Sequence, residues 1–211
     1  IYLNGTKLGL MEGAFVRGMY DVTDYIVSGK NVLAVEIVKN LHIGAVKEKY
    51  EKNTDFNGGI LGADNPTFHA SIGWDWISTI RGRNIGIYDD VYLTTAGKVT
   101  IQDPFVQTSV ALPDTTATLT PEIIVKNHEN QPVKGILSGK VGDIHFEQPI
   151  ELAANEEKAV RFNPNDFAQL KNQKLRLWWP KGYGEPYLYD ANFTFSIDGQ
   201  TSDSENFKVG I

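Results

Sequence analysis

The segments Ala117–Lys126 (ATLTPEIIVK) and Val133–Lys140 (VKGILSGK), joined by the polar run Asn127–Pro132 (NHENQP), decide the fold class of this chain. Both segments are short and rich in β-branched residues, and the run between them carries turn-forming residues, which is the pattern of two antiparallel strands. About seven short strands in roughly a hundred residues are typical of an immunoglobulin-like β-sandwich. Further strands are predicted at Lys158–Phe162, Lys174–Trp179, Tyr189–Ile197 and Ser204–Val209.

The first part of the chain also has the pattern of β-strands. Asn31–Val38 is a β-branched run between turn residues, and Ile87–Thr94 is a second run that ends just before Gly97. We place a domain boundary near Gly97, so that residues 1–96 form one β-domain and residues 97–211 form the sandwich. The whole chain is therefore predicted to be all-β. Two segments, Val22–Val27 and Asp166–Leu170, could each form a short helix.

Composition argues against several classes of protein. The net charge of −6 and the sequence pI near 5.2 argue against a nucleic-acid partner, because a polyanion requires a basic surface. No apolar run approaches the roughly 18 residues of a membrane span. The chain has no cysteine, and its histidines lack metal-ligand spacing, so we predict no metal site and no cofactor. The histidines are His42, His69, His128 and His145.

The sequence contains no catalytic motif. No nucleophile elbow, phosphate-binding loop or dinucleotide-binding glycine pattern is present. The acidic neighbours Asp89-Asp90 and Glu156-Glu157 would point to opposite faces of a strand, so neither pair could act together. None of these patterns therefore identifies a catalytic residue in the chain.

The candidate ligand site is the tripeptide Trp74-Asp75-Trp76. It follows a long polar segment between Asn40 and Ser71 without a convincing strand, and loops beyond about 12–15 residues are usually functional or disordered. Two interpretations stay open. Indole rings cover the apolar face of a sugar while a carboxylate accepts hydrogen bonds from its hydroxyls. Alternatively, both rings belong to a β-sandwich core and Asp75 makes a turn.

Five motifs, in order along nearly the whole chain, resemble family 2 of the glycoside hydrolases. The order matters more than any single match, since each motif alone is short. The motifs are Ile1–Gly5 with the glycine-punctuated strand Gly9–Phe15; Asp21–Tyr25 with Gly29–Val35; Gly86–Leu93; Trp178–Tyr189 (WWPKGYGEPYLY); and Phe207–Ile211.

This resemblance implies a partial galactose-binding-like jelly-roll over residues 1–96, followed by an immunoglobulin-like domain over residues 97–211. In members similar to β-mannosidases and exo-glucosaminidases, a Trp-Asp-Trp stretch at this edge reaches over the catalytic barrel. The resemblance therefore implies that Trp74, Asp75 and Trp76 contact substrate, with Trp74 and Asp75 walling the terminal-sugar subsite. The Gly-Pro that follows the motif in many members is replaced here by Ile77-Ser78.

The resemblance also implies where the chemistry takes place. Retaining glycoside hydrolysis uses two carboxylates about 5–5.5 Å apart, and family 2 supplies both from a (β/α)₈ barrel that follows the second domain. We expect this chain to be an accessory fragment of a retaining exo-β-glycosidase that acts on a terminal β-linked sugar. The expected partner is the missing barrel of the same polypeptide, and a periplasmic or extracellular bacterial location is expected. The alternatives are a free-standing carbohydrate-binding module and structural or adhesion β-domains.

Overall fold

The computed structural model describes residues 1–13, 16–38, 86–87, 89–113 and 115–211. The chain divides into two compact units, Ile1–Tyr92 (unit one) and Leu93–Ile211 (unit two). Strands and turns account for the described secondary structure apart from one 3₁₀ helix, which confirms the all-β prediction. In the described ranges, no helix is long and apolar enough to cross a membrane. The domain boundary near Gly97 stays a prediction.

Unit one contains a small antiparallel sheet of three two-residue strands in the described residues. The strands are β1 (Tyr2–Leu3), β2 (Thr6–Lys7) and β3 (Leu33–Ala34), in the spatial order β2-β1-β3. Asn4 and Gly5 form the two-residue turn between β1 and β2, with φ of 50° and 85°. A hairpin turn with φ > 0 at both central residues favours an Asn-Gly pair, so this dipeptide sets the register of the sheet.

The Asn4 side chain fixes this hairpin to the neighbouring loop. Its amide donates to the Tyr25 carbonyl at 2.9 Å and to Asn31 Oδ1 at 2.8 Å, and its oxygen accepts the Val32 N–H at 2.9 Å. Asn31 in turn accepts the Val27 N–H and donates to the Val27 carbonyl. Two asparagines therefore order a loop that has little regular secondary structure.

Two strands predicted in the first part of the chain are wrong: one is shorter than predicted, and the other is absent from the described residues. Of Asn31–Val38, only Leu33–Ala34 pairs with a neighbour, and the described residues of Ile87–Thr94 form no strand. A strand requires a hydrogen-bonded partner, and β-branched composition cannot show whether one is present. The predicted helix at Val22–Val27 is a single turn, in which the Tyr25 and Ile26 N–H groups share the Val22 carbonyl.

Unit two is a sandwich of two antiparallel sheets. One sheet has the order β11-β10-β6-β7; the other has the order β4-β5-β8, with the short strand β9 also paired to β5. Each long strand alternates inward and outward residues, as expected for sheets with one buried face. The strands are β4 (Val99–Ala111), β5 (Thr116–Asn127), β6 (Val133–Val141), β7 (Ile144–Leu152), β8 (Glu157–Arg161), β9 (Gln173–Lys174), β10 (Leu188–Ile197) and β11 (Gln200–Gly210), with the 3₁₀ helix at Ala168–Leu170.

Phenylalanine rings pack the two sheets together. Phe146 on β7 lies edge-on to Phe162, which follows β8 in the opposite sheet, with ring centroids 4.6 Å apart. Phe146 also contacts Phe193 on β10 at 5.9 Å, and Phe193 stacks on Phe207 at 5.7 Å. Edge-to-face and offset pairs of this kind add to the free energy gained by burying the rings.

Gly139 makes the contact between Phe146 and Phe193 possible. It lies on β6 directly between the two phenylalanines, paired with Phe193 on one side and Phe146 on the other. A Cβ atom at position 139 would lie 2.5 Å from Phe146 Cζ and 2.9 Å from Phe193 Cε1. The rings therefore occupy the space that a side chain at this position would need.

A buried asparagine holds one end of the sandwich. Asn127, at the end of β5, is fully buried. Its amide donates to the carbonyls of Gln131 at 2.9 Å and Ala153 at 2.8 Å, and its oxygen accepts the Glu129 N–H at 3.0 Å. One side chain therefore satisfies backbone groups in both the β5–β6 and the β7–β8 connections.

A second polar contact joins the first and last strands of unit two. Ser202 Oγ on β11 accepts the Val99 N–H at 2.9 Å and donates to the Val99 carbonyl at 2.8 Å. The neighbouring Asp203 accepts the Ile101 N–H at 2.7 Å. We call these contacts the serine clasp. They connect β4 of one sheet to β11 of the other where the two strands have no ladder.

Candidate functional site

The predicted sugar-binding residues lie outside the described part of the chain. Trp74, Asp75 and Trp76 belong to the range 39–85, as does the long polar segment before them. Their assignment to substrate therefore stays a prediction. The described residues that carry candidate chemistry lie at Asp89–Tyr92 and in the motif Trp178–Tyr189.

The acidic pair Asp89-Asp90 makes local contacts. Asp89 Oδ1 accepts the Asp90 N–H at 2.8 Å, and the Tyr92 hydroxyl donates to Asp90 Oδ2 at 2.9 Å. This hydrogen bond raises the pKa of Tyr92, and slight desolvation and the nearby Asp89 charge add to the shift. Both carboxylates are therefore engaged in ordering their own segment.

The second acidic pair also has structural contacts. Glu156 accepts the Ala153 N–H at 2.6 Å, and Glu157 forms an ion pair with Lys126 at 3.9 Å. Among the described residues, no group of three or more His, Cys, Asp or Glu side chains is placed to hold a metal ion. Of the histidines, His128 contacts the Thr100 hydroxyl at 2.9 Å.

The motif Trp178–Tyr189 forms a structured loop on unit two. The sequence predicts a strand over Lys174–Trp179, but only Gln173–Lys174 forms a strand, paired with Thr116 and Ala117 of β5, while Trp178 makes an isolated bridge to Pro186. The prediction is wrong because residues after Lys174 leave that sheet and hydrogen-bond elsewhere: the Trp178 N–H donates to the Ile211 carbonyl at 2.6 Å, and the Trp179 N–H donates to the Glu185 carbonyl at 2.9 Å. We call Arg176–Tyr189 the tryptophan loop.

Arg176 is the main polar anchor of the tryptophan loop. Its guanidinium forms an ion pair with Glu185 and lies 4.4 Å from the centroid of the Tyr187 ring. Its backbone N–H donates to the Tyr189 hydroxyl at 2.8 Å, and the rings of Tyr187 and Tyr189 meet edge-on at 4.9 Å. A guanidinium that is both ion-paired and stacked on an aromatic ring is held in one orientation.

The two tryptophans of the loop are held against glycines. A Cβ at position 210 would lie 3.2 Å from Trp178 Cβ, and a Cβ at position 184 would lie 2.8 Å from Trp179 Cγ. Trp178 remains 43% exposed and Trp179 remains 41% exposed. The loop leaves the sheet before Trp178, so strand alternation no longer decides which ring is buried.

A cleft of about 310 Å³ opens beside Trp179. The ion pair of Arg176 and Glu185 forms its polar side, and Trp179 forms an aromatic side. Leu175 and Leu177, which pack against the core of unit two, contribute apolar walls. Thr115 completes the lining. The cleft therefore combines one exposed indole with a neutralised pair of charges.

Two family models match consecutive parts of the chain. The model described as "Glycosyl hydrolases family 2" matches residues 99–211, and the model described as "Glycosyl hydrolase 2 galactose-binding domain-like" matches residues 1–89. Their order along the chain is the order that the sequence motifs predict.

Curated relatives align with the whole chain. An exo-beta-D-glucosaminidase of Streptomyces avermitilis is 29% identical over 100% of this chain and 21% of its own length. A mannosylglycoprotein endo-beta-mannosidase of Lilium longiflorum is 33% identical over 100% of this chain and 22% of its own length. The chain therefore spans about a fifth of the length of these relatives.

Solved structures of the same family were also found. The crystal structure of the exo-chitosanase CsxA of Amycolatopsis orientalis aligns with 55% of this chain and 13% of that chain, at 28% identity and a TM-score of 0.48. The match to the family 2 model covers more than half of the present chain. This chain belongs to family 2 of the glycosyl hydrolases.

Proposed function

We propose that this chain is the non-catalytic, sugar-binding and immunoglobulin-like portion of a retaining family 2 exo-β-glycosidase that hydrolyses terminal β-linked sugars. The consecutive matches to the two family models over residues 1–89 and 99–211 carry the proposal. The alignment of the whole chain with part of an exo-beta-D-glucosaminidase supports the exo mode, whereas the mannosylglycoprotein relative is named as an endo-enzyme; both names specify β-linked substrates.

The contacts of the described carboxylates agree with a supporting role. Asp90, Glu156 and Glu185 accept a hydrogen bond or pair with a cation within their own segment or a neighbouring one. The two catalytic carboxylates of a retaining enzyme must instead face the scissile bond about 5–5.5 Å apart. In the proposed enzyme, a (β/α)₈ barrel of the same polypeptide supplies them, consistent with relatives about five times longer than this chain.

The 211-residue chain is expected not to hydrolyse aryl β-mannosides, β-glucosaminides or β-galactosides. A glycosidase needs a positioned acid and nucleophile, and the proposal places both in the barrel. Release of the aryl group would be followed by absorbance, with the full polypeptide as the positive control. Turnover by the chain that is abolished by substituting one of its own carboxylates would refute the accessory role.

In the full polypeptide, Asp75→Ala is expected to lower kcat/KM by a factor equivalent to roughly 1.5–3 kcal/mol, the free energy of a charge-assisted hydrogen bond. The carboxylate is proposed to accept hydrogen bonds from the hydroxyls of the terminal sugar, so its removal weakens substrate contacts while the fold is retained. Steady-state kinetics and the melting temperature of the variant would be measured together.

Asp75→Asn is the matched variant, since it keeps the size of the side chain and removes its charge. Trp74→Ala is a less clean test because truncating an indole also opens a cavity. If Asp75→Ala lowers the melting temperature while kcat/KM stays at the parent value, Asp75 is a turn residue and the site assignment is wrong.

A further inference from the structure

We propose that the cleft beside Trp179 on unit two is a carbohydrate site formed by residues other than the predicted Trp74-Asp75-Trp76, and that it binds one unit of a neutral β-linked oligosaccharide. The choice of β-linked sugars rests on the proposed function, whereas the site itself rests on the geometry of the tryptophan loop.

The aromatic side of the cleft is fixed before any ligand arrives. The Trp179 N–H donates to the Glu185 carbonyl, and the ring lies so close to Gly184 that a Cβ at position 184 would come within 2.8 Å of its Cβ, Cγ and Cδ1 atoms. The side chain nevertheless remains 41% exposed. A rigid, exposed indole presents an apolar surface at little entropic cost, and the flat C–H face of a β-linked pyranose matches such a surface.

The polar side of the cleft is equally constrained. Arg176 is held by the ion pair with Glu185 and by the Tyr187 ring, and both members of the pair remain accessible to solvent, with side chains 53% and 72% exposed. A guanidinium has more N–H donors than one carboxylate uses, and a carboxylate has lone pairs to spare. The pair can therefore donate to one sugar hydroxyl and accept from another.

The charge balance selects the class of ligand. One cation and one anion line the cleft and neutralise each other, so neither a phosphate nor an ammonium compound gains a net attraction there. A neutral polyhydroxylated ring uses both charges as hydrogen-bond partners. The volume of about 310 Å³ lies at the low end of ligand sites, which span about 300–1,000 Å³. This size suits one sugar unit rather than an extended chain.

Trp178 provides a matched control within the same loop. It is as exposed as Trp179, at 43% against 41%. The residues that line the surface around it are Leu188, Gly210 and Ile211, with no ion-paired side chains among them. If sugar shifts the resonance of Trp179 but not that of Trp178, the binding requires an indole beside the ion pair. Exposure of a tryptophan alone would not explain such a difference.

The experiment is ¹⁹F NMR of the 211-residue chain labelled with 5-fluorotryptophan. The four tryptophans give four resonances, each assigned by a Trp→Phe variant. The probes are β-1,4-linked mannotetraose and, as the α-linked comparison, maltotetraose. We expect the Trp179 resonance to shift saturably with mannotetraose and the Trp178 resonance to stay in place. Trp179→Ala and Arg176→Ala are each expected to raise the Kd of this binding event about tenfold, while Trp178→Ala leaves it unchanged.

The other outcomes are equally decisive. Shifts confined to Trp74 and Trp76 would overturn the second site while supporting the predicted subsite. No shift of Trp179 at millimolar mannotetraose would overturn the site, and equal shifts with maltotetraose would overturn the β-linked assignment. Loss of solvent access to Trp179 in the full polypeptide would show that the tryptophan loop is an interface between domains, which also overturns the proposal.

Discussion

Asn127→Ala is expected to lower the free energy of unfolding of unit two by about 2–4 kcal/mol, because alanine removes three hydrogen bonds made by a fully buried side chain and leaves the Glu129 N–H and the Gln131 carbonyl without that partner. The amide of Asn127 holds the carbonyls of Gln131 and Ala153, and its oxygen holds the Glu129 N–H. Each hydrogen bond contributes roughly 0.5–1.5 kcal/mol net, and the effects are not fully additive. The Ala153 carbonyl keeps the Glu156 N–H at 3.2 Å in the variant. Urea denaturation of the 211-residue chain, followed by circular dichroism, measures the change.

Asn165→Ala is the control, since Asn165 is exposed and its side chain accepts only a 3.4 Å contact from Lys171. Asn127→Asp separates the donor role from the acceptor role. Aspartate keeps the contact to the Glu129 N–H and loses both donated bonds, so it should also be strongly destabilising. An unfolding midpoint for Asn127→Ala equal to that of the control would show that this asparagine does not hold the two connections.

Gly139→Val is expected to destabilise unit two by about 3 kcal/mol, at the upper end of the usual cost of overpacking a core. A Cβ alone would lie 2.5 Å from Phe146 Cζ, and two further methyl groups would displace both Phe146 and Phe193. Displacing Phe146 also disturbs its edge contact with Phe162 in the opposite sheet. The melting temperature of the chain would fall accordingly.

Gly139→Ala should have a smaller effect of the same sign, because it adds only the first clashing atom. The control is Lys140→Val, which introduces the same β-branched side chain at the exposed neighbouring position of β6. Equal stability of the two valine variants would mean that the rings of Phe146 and Phe193 yield freely and that Gly139 is not required for their contact.

Most of the sandwich could be predicted from sequence because its strands alternate regularly. The prediction at Val133–Lys140 differs by one residue from the observed Val133–Val141, and Tyr189–Ile197 corresponds to Leu188–Ile197. β7 (Ile144–Leu152) was not predicted from the sequence. It contains Pro149, which the structure places on an edge strand, where the lost N–H can face away from the ladder.

The tryptophan loop could not be predicted from strand patterns. Arg176 and Glu185 are nine residues apart and meet because the chain turns back between them, with Gly182 at a φ of 92°. The sequence feature that could have indicated a structured loop is the motif itself, in which Gly, Pro and aromatic residues are closely spaced. The opposite case is Trp74-Asp75-Trp76, for which the sequence predicts contacts to a sugar but whose position lies outside the described residues.

The serine clasp has a consequence for the order of folding. Ser202 and Val99 are 103 residues apart, so their contact closes a loop that includes nearly the whole of unit two. Closing so long a loop carries an entropic cost that must be met before the contact stabilises anything, and folds dominated by such distant pairings form slowly. During synthesis, the contacts between β4 and β11 can form only after β11 has left the ribosome. Until then, the Val99 N–H and carbonyl lack their Ser202 partner and can hydrogen-bond to other groups.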